Sequence, residues 1–345
     1  MKICILGATG LVGRETLELV ARAWPEAELD LYASRDQTLE LGDRSLPVKA
    51  AERLEAAGAE GGDLALVALD DDFSRRYVPR LRQLGYRVVD KSNTYRMDPA
   101  VPLVVAGVNC SLLDADATLA ANPNCTTIPF ALAVAPLARR WGLARATVSS
   151  YQAISGAGIG ALDDFLETSR SGYAEPERLG LRFDPKGYAG NTVPHNGKTD
   201  DSGFSSEERK LMNESRKILA RPELFVSAQC CRVPVAVGHY INAWIELRES
   251  ASLDEVAAVL GDPSQAPFVR FHPGAVGEGL SALAGVHDRD RALVGRLRAD
   301  PTGGSGTALC LTITADNLRL GAATNAVRMA SRWFPAADAD LRMPS

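Results

Sequence analysis

The 345-residue chain is poor in the features that would place it in a membrane, on nucleic acid or outside the cell. No apolar stretch approaches the ~20 residues that a helix needs to span a bilayer. The opening run, Met1 to Gly7, is too short for a signal peptide and enters a strand at once, so a cytoplasmic location is expected. Its 38 Lys and Arg are scattered among 43 Asp and Glu, for a net charge of −5, and no basic patch is offered to nucleic acid or to an anionic membrane. The six cysteines (Cys4, Cys110, Cys125, Cys230, Cys231, Cys310) show no paired spacing, which excludes a disulfide framework. Zinc spacing is missing as well, and no metal is expected. Internal repeats and low-complexity segments are absent. What remains is the balance of a globular protein, 46% hydrophobic and 23% charged, long enough for two domains.

The pattern of that chain changes midway. Residues 2–6 form a short β run, a glycine loop follows, and residues 11–23 carry Leu11, Leu17, Val20 and Ala21 at helical spacing. Strands are expected at 29–33, 63–69, 86–90 and 102–106, a helix at 73–84 stopped by Gly85, and a further strand at 117–121 leading to Cys125. Strands alternating with helices indicate a doubly wound parallel sheet of Rossmann-like α/β type. Beyond Cys125, residues 145–152, 229–235, 243–248 and 309–315 read as longer strands of a mixed sheet, an α+β domain. Helices are expected at 126–137, 253–260 and 322–334, and the Gly-, Asp-, Pro- and Asn-rich segment 180–203 as a surface excursion. The expected domains are 1–125, with the C-terminal segment 322–345 returning to it, and 126–321.

Two motifs carry most of the chemistry. The loop Gly7-Ala8-Thr9-Gly10-Leu11-Val12-Gly13 follows an apolar strand and opens a helix. Glycines there allow a tight turn and let backbone N–H groups approach a pyrophosphate at the positive end of the helix dipole. The same spacing also suits a plain tight turn. At the end of the second strand Ser34 and Arg35 favour a 2′-phosphate and hence NADP, Asp36 favours a bare ribose, and an ordinary solvated loop fits all three. Cys125 lies in Asn122-Pro123-Asn124-Cys125-Thr126-Thr127, a turn running into an apolar helix whose dipole would lower its thiol pKa. Its polar neighbours suit a nucleophile; Cys4, Cys110 and Cys310 read as structural. A thiol nucleophile beside a dinucleotide site points to oxidation or reduction through a thioester.

Weaker signals follow. Tyr151-Gln152-Ala153-Ile154-Ser155-Gly156-Ala157-Gly158 ends a strand in a small-residue loop, able to bring one amide to a substrate carbonyl or to be only a turn. Ser205 and Glu208 have the form of a capping box, and Glu207 with Lys210 read by default as a surface ion pair. Arg232 ends Cys230-Cys231-Arg232, and arginine is the bidentate binder of carboxylates. Of the four histidines His239 has the best context as partner of a thiol, in contrast to His195, His272 and His287.

These segments, in order, closely resemble the aspartate-β-semialdehyde dehydrogenase family. The likeness also takes in Arg96-Met97-Asp98-Pro99, Arg232-Val233-Pro234-Val235 with Gly238-His239, and Asp316-Asn317-Leu318 with Gly321 and Asn325. It implies an NADP-dependent enzyme of the aspartate pathway toward lysine, threonine and methionine, which interconverts aspartate semialdehyde plus phosphate and β-aspartyl phosphate. By the resemblance Cys125 is the nucleophile, His239 the acid/base and Gln152 the residue that orients the carbonyl. Arg232 grips the α-carboxylate, Glu207 meets the α-ammonium, Arg96 and Lys210 hold phosphate, and Asn124 joins the substrate site. The cofactor set is Gly7, Thr9, Gly10, Leu11, Val12, Gly13, Ser34, Arg35, Ser155, Gly156 and Asn325. A homodimer or homotetramer formed through the second domain is implied. The chain departs from the family pattern at Tyr240 and Ile241, where Ser and an acidic or amide residue are usual. It departs also at Lys91 (often Asn), Gly107 (Glu) and Arg328 (Gln). A paralogue acting on an aspartate analogue and a non-catalytic nucleotide-binding relative are the rival readings.

Overall fold

A computed structural model describes residues 1–343 except 57, 174–186, 195–196, 274–278 and 304–305. The chain divides into two compact units, Met1–Asn124 with Ala322–Ser345, and Cys125–Gly321.

In the first unit β1 (Lys2–Leu6), β2 (Glu28–Ala33), β3 (Gln37–Leu41), β4 (Arg44–Ala50), β5 (Leu64–Val67), β6 (Arg87–Asp90) and β7 (Leu119–Ala121) form one sheet. Its order is β3-β4-β2-β1-β5-β6-β7. β5 is buried along its whole length, as a short apolar run must be when both faces of a parallel sheet are covered. After β1 the chain passes through α1 (Leu11–Ala23) to β2 on one side, then returns to β5 on the other. The glycine loop therefore opens at the topological switch point, where such sheets bind ligands. α2 (Asp71–Gln83) joins β5 to β6, its N-terminus capped by the Asp70 carboxylate. The C-terminal helix Asn325–Ser331 belongs to this unit, with Ala326, Val327, Met329 and Ala330 sharing a core with Leu17, Leu19 and Val20 of α1.

Three local expectations need correction here. The parallel sheet gains an antiparallel edge, the β3–β4 hairpin turning at Gly42, which buries Leu39, Leu46 and Val48. Residues 102–106 form no strand. They make a single bridge, Leu103 to Ala121, because Pro102 brings no N–H to a ladder and the Asn109 side chain takes the Val105 N–H. The helix expected over 322–334 opens as a wide π-type turn, Arg319–Thr324, and is α-helical only over Asn325–Ser331.

The second unit carries β8 (Leu143–Gln152), β9 (Val193–Pro194), β10 (Phe225–Arg232), β11 (His239–Leu247), β12 (Val269–His272), β13 (Ala292–Ala299) and β14 (Ala308–Ala315). They form a mixed sheet of order β12-β13-β14-β11-β8-β10-β9. β10 runs parallel to β8, and β11 antiparallel to both β8 and β14. Its helices are α3 (Thr127–Trp141), α4 (Ile159–Tyr173), α5 (Ser206–Ile218), α6 (Leu253–Gly261) and α7 (Ala282–His287). α3 is apolar on nearly every side and packs against α5, α6, β11, β13 and β14. Such a helix belongs in a core.

β12 and β13 were not expected. The pattern of β13 breaks at Gly295 and Arg296, where the register slips by a bulge and Arg296 takes φ +49°. β10 begins at Phe225 and stops at Arg232, since Pro234 cannot donate to a ladder and the Val235 N–H turns back to the Val233 carbonyl (2.7 Å). Of the excursion at 180–203, residues 180–186 and 195–196 lie outside the described residues, His195 among them.

The capping box forms in full at the start of α5: Ser205 Oγ accepts the Glu208 N–H, and the Glu208 carboxylate accepts the Ser205 N–H. The second Glu208 oxygen takes the Cys230 N–H (2.9 Å), which ties this helix end to β10. Ser205→Ala is expected to lower stability by about 1 kcal/mol. Urea titration of the variant beside wild type measures it, and an unchanged midpoint would mean that the box contributes nothing.

Candidate active site

Strand directions bring three polar side chains to one end of the second sheet. Gln152 closes β8, Arg232 closes the parallel β10 directly opposite it, and His239 opens the antiparallel β11. All three share the buried face with Val148, Ile241 and Ala243, because alternate residues of a strand point the same way. Cys125 stands two residues before α3, beside the helix N-terminus.

Cys125 Sγ lies 3.2 Å from His239 Nε2. The other ring nitrogen, Nδ1, accepts the Ala153 N–H at 3.1 Å. A backbone N–H can only donate, so Nδ1 carries a lone pair and the imidazole proton sits on Nε2, facing the sulfur. The turn ahead of His239 is fixed by Asn317, whose Oδ1 accepts the Gly238 N–H (2.9 Å) and whose Nδ2 donates to Ser155 Oγ (2.9 Å). Gly238 has φ +100°, and a Cβ there would lie 2.4 Å from the Ala282 carbonyl oxygen. Asn317 positions the histidine, a role that nothing in its own short segment announces.

Around this pair the polar groups are buried. Gln152 Nε2 donates to Thr126 Oγ1 (2.9 Å), Ser150 Oγ (3.3 Å) and Glu207 Oε1 (3.3 Å), while its carbonyl oxygen has no hydrogen-bond partner among the described residues. The Glu207–Lys210 pair forms at 3.3 Å, but Glu207 is buried, so it is not the surface ion pair expected from spacing. Arg232 is buried too. Its Nη1 donates to the Ala153 carbonyl (2.9 Å), and among the described residues its Nε has no partner and no carboxylate pairs with it. A buried guanidinium without a counter-ion suits an anionic ligand. Gly156 gives it room, since a Cβ there would lie 2.6 Å from Nη1.

The first unit supplies a separate set of groups. The Gly7 and Ala8 N–H groups donate to the Tyr32 carbonyl (2.8 and 3.0 Å). Gly10, at the N-cap of α1, offers no side chain, which leaves the first-turn N–H groups of Leu11, Val12 and Gly13 uncapped beside Thr9. A Cβ on Gly13 would lie 2.0 Å from the Gly7 carbonyl oxygen. Ser34 and Arg35 are exposed at the end of β2. Asp36 is committed elsewhere: it accepts the Ala50 N–H (2.7 Å) and pairs with Arg53, and the two together hold its carboxyl below the usual range. Arg96 is buried with Nη2 on the Lys91 carbonyl (2.7 Å), and Asn124 is buried. Asn325, expected among the cofactor ligands, directs its amide to Val104 O (3.0 Å), Asn122 Oδ1 (2.7 Å) and the Ala106 N–H (2.8 Å). Ser155 likewise is held by Asn317 within the second unit.

Most of the unusual residues have physical explanations. Tyr240 points to the sheet face opposite His239, edge-on to Tyr151, while Ile241 is core. Gly107 takes φ +87° in a turn where a glutamate would be strained. Arg328 is buried, with Nε on the Asp340 carbonyl (3.1 Å).

A switch-point glycine loop in the first unit, and in the second a thiol–imidazole pair with buried Gln, Glu and Arg, are the groups that an oxidoreductase of the dehydrogenase class needs. Comparisons agree. Residues 2–115 match the family model "Semialdehyde dehydrogenase, NAD binding domain", and residues 134–320 match "Semialdehyde dehydrogenase, dimerisation domain". The chain is 35% identical to aspartate-semialdehyde dehydrogenase of Aquifex aeolicus, covering 95% of this chain and 96% of that one. It is 37% identical to the enzyme of that name from Mycolicibacterium smegmatis, over 96% and 98%. A crystal structure of aspartate semialdehyde dehydrogenase II from Vibrio cholerae, complexed with ASA, superposes with a TM-score of 0.85 at 29% identity, covering 96% and 97%. The chain belongs to the aspartate-semialdehyde dehydrogenase family.

Proposed function

We propose that the chain interconverts L-aspartate 4-semialdehyde plus inorganic phosphate and β-aspartyl phosphate with NADP, on the route to lysine, threonine and methionine. The observation that carries this reading is the 3.2 Å approach of Cys125 Sγ to His239 Nε2 inside a ring of buried Gln152, Glu207 and Arg232. The ring has charges suited to an amino acid: Arg232 for the α-carboxylate, Glu207 for the α-ammonium. In the oxidative direction Cys125 adds as thiolate to the aldehyde carbon, and the carbonyl oxygen becomes an oxyanion. Gln152 orients that oxygen. His239 keeps its proton on Nε2 and turns the hydrogen bond from sulfur to oxyanion. The oxidation that leaves a thioester on Cys125 needs a hydride acceptor, which a nicotinamide would supply when bound. Phosphate then cleaves the thioester and returns the thiolate, with Lys210 read as one of its ligands; biosynthesis runs in reverse.

NADP is favoured over NAD because Asp36, the one acidic residue at the end of β2, is occupied by Ala50 and Arg53, while Ser34 and Arg35 stand exposed. Arg35→Ala is expected to raise the KM for NADP about tenfold or more, as the loss of a charged hydrogen bond does, and to leave the KM for NAD nearly unchanged. Equal effects on both would remove Arg35 from the 2′-phosphate site.

The sheet face away from the helices exposes Phe225 (74%) and Trp244 (38%) together with Thr147, Ser227 and Gln229. A second copy covering this face supports a homodimer, or a homotetramer built from such dimers. All six cysteines are free thiols, which suits the reducing cytoplasm. The assay for the whole reading is NADPH formation from L-aspartate 4-semialdehyde with and without inorganic phosphate, repeated with NAD. Rapid, phosphate-dependent formation is expected with NADP, and its absence from protein that binds NADPH would rule out this substrate.

A further inference from the structure

Of the residues that set this chain apart, Lys91 alone has no packing explanation. It directly follows β6: its N–H donates to the Val67 carbonyl (3.1 Å), and its own carbonyl holds Arg96 Nη2 (2.7 Å). The side chain crosses to α1, where Nζ donates to Thr16 Oγ1 at 3.0 Å. Thr16 is fully buried and passes its own proton to the Val12 carbonyl (2.7 Å), so its oxygen is left to take the lysine.

Among the described residues the ammonium has no carboxylate partner. Asp90, the adjacent acid, spends its two oxygens on Ser74 Oγ (2.7 Å) and Ser92 Oγ (2.6 Å). Among the neighbouring charges, Arg96 is cationic and Asp71 of α2 is bonded to the Asn93 N–H. Lys91 is thus a partly buried cation held against the second turn of a helix, near the end where the dipole favours anions. One turn away are the uncapped N–H groups at the start of that helix. Desolvation outweighs the attraction of Asp90 and pulls the ammonium down to about 7. A cation so placed costs stability until an anion joins it.

We propose that Lys91 is a phosphate-binding residue of the nucleotide-binding unit, its ammonium and the uncapped N-terminus of α1 serving one phosphoryl group. The proposal rests on the reading of this unit as the site of a dinucleotide in a phosphate-using reaction. The phosphoryl group has two sources, the dinucleotide pyrophosphate and free inorganic phosphate. Anchorage on the helix of the glycine loop favours the first.

The test is calorimetric titration of the full-length protein with NADPH at pH 8, in buffers of different ionisation enthalpy, together with the KM for phosphate. Free Lys91 is mostly neutral at pH 8 and charged beside phosphate, so wild type should take up part of a proton on binding. Lys91→Met should abolish the uptake and weaken NADPH binding tenfold or more. Lys91→Arg, permanently charged, should bind without uptake, and it carries the test if the methionine variant fails to fold. A rise of that size in the phosphate KM alone supports the proposal and assigns the site to inorganic phosphate. Unaltered NADPH affinity, proton uptake and phosphate KM in Lys91→Met overturn the proposal alone. A wild type that binds no NADPH overturns the nucleotide reading as well.

Discussion

Cys125→Ala should abolish phosphate-dependent NADPH formation, a loss of roughly 10⁴-fold or more in kcat, while NADPH binding and thermal stability stay close to wild type. The expected loss corresponds to about 5.4 kcal/mol of barrier. It is large because the thiol forms the covalent bond that divides the reaction into two easier steps. Cys125→Ser should be nearly as inactive, since a serine hydroxyl at a helix N-terminus remains protonated where a thiol ionises. Cys125 is only partly exposed and packs against Gly321, where a Cβ would stand 2.9 Å from the cysteine Cβ; alanine keeps that Cβ and adds no atom there. Steady-state rates with aspartate semialdehyde give the answer. A serine variant with near-wild-type rate would falsify nucleophilic catalysis by this residue, and an alanine variant that changes nothing would support a non-catalytic relative.

His239→Ala is expected to cost about 10²- to 10⁴-fold in kcat, the usual worth of a positioned proton donor or acceptor. The geometry adds a sharper expectation. Because Nδ1 is committed to the Ala153 N–H, the histidine acts through a proton held on Nε2 rather than by taking a second one. His239→Gln, whose amide can both accept and donate, should therefore retain measurably more activity than His239→Ala. If His239 instead works as a titrating base, the two variants will be equally poor. Removing the ring also strands the buried Ala153 N–H, at about 1–3 kcal/mol, so stability has to be measured beside activity. A drop in rate larger than any drop in folded fraction separates chemistry from packing.

Much of this site was legible because its parts are local. The glycine loop and its helix, Cys125 ahead of α3, and the Ser205 capping box each follow from short-range rules about turns, dipoles and caps. The class of fold was legible for the same reason, since alternating apolar strands and amphipathic helices state a parallel sheet without reference to anything distant. Where the pattern of apolar residues failed, a particular hydrogen bond or register shift had decided. The stretch at 102–106 looks like a strand until Asn109, four residues on, claims the Val105 N–H. β13 loses its alternation at Arg296, where a bulge against β14 re-aims the chain. Asp36 looks like a ribose ligand until Ala50 and Arg53 occupy it.

By itself the sequence determined the fold class and the family and singled out Cys125 as the candidate nucleophile, because each resides in contiguous residues whose physics is local. Only the tertiary structure decided the proton on His239, the burial of Glu207, the positioning role of Asn317 and the stranded charge of Lys91. Each of these depends on which group stands opposite, and strand register and helix docking bring such groups together across separations that no local pattern encodes.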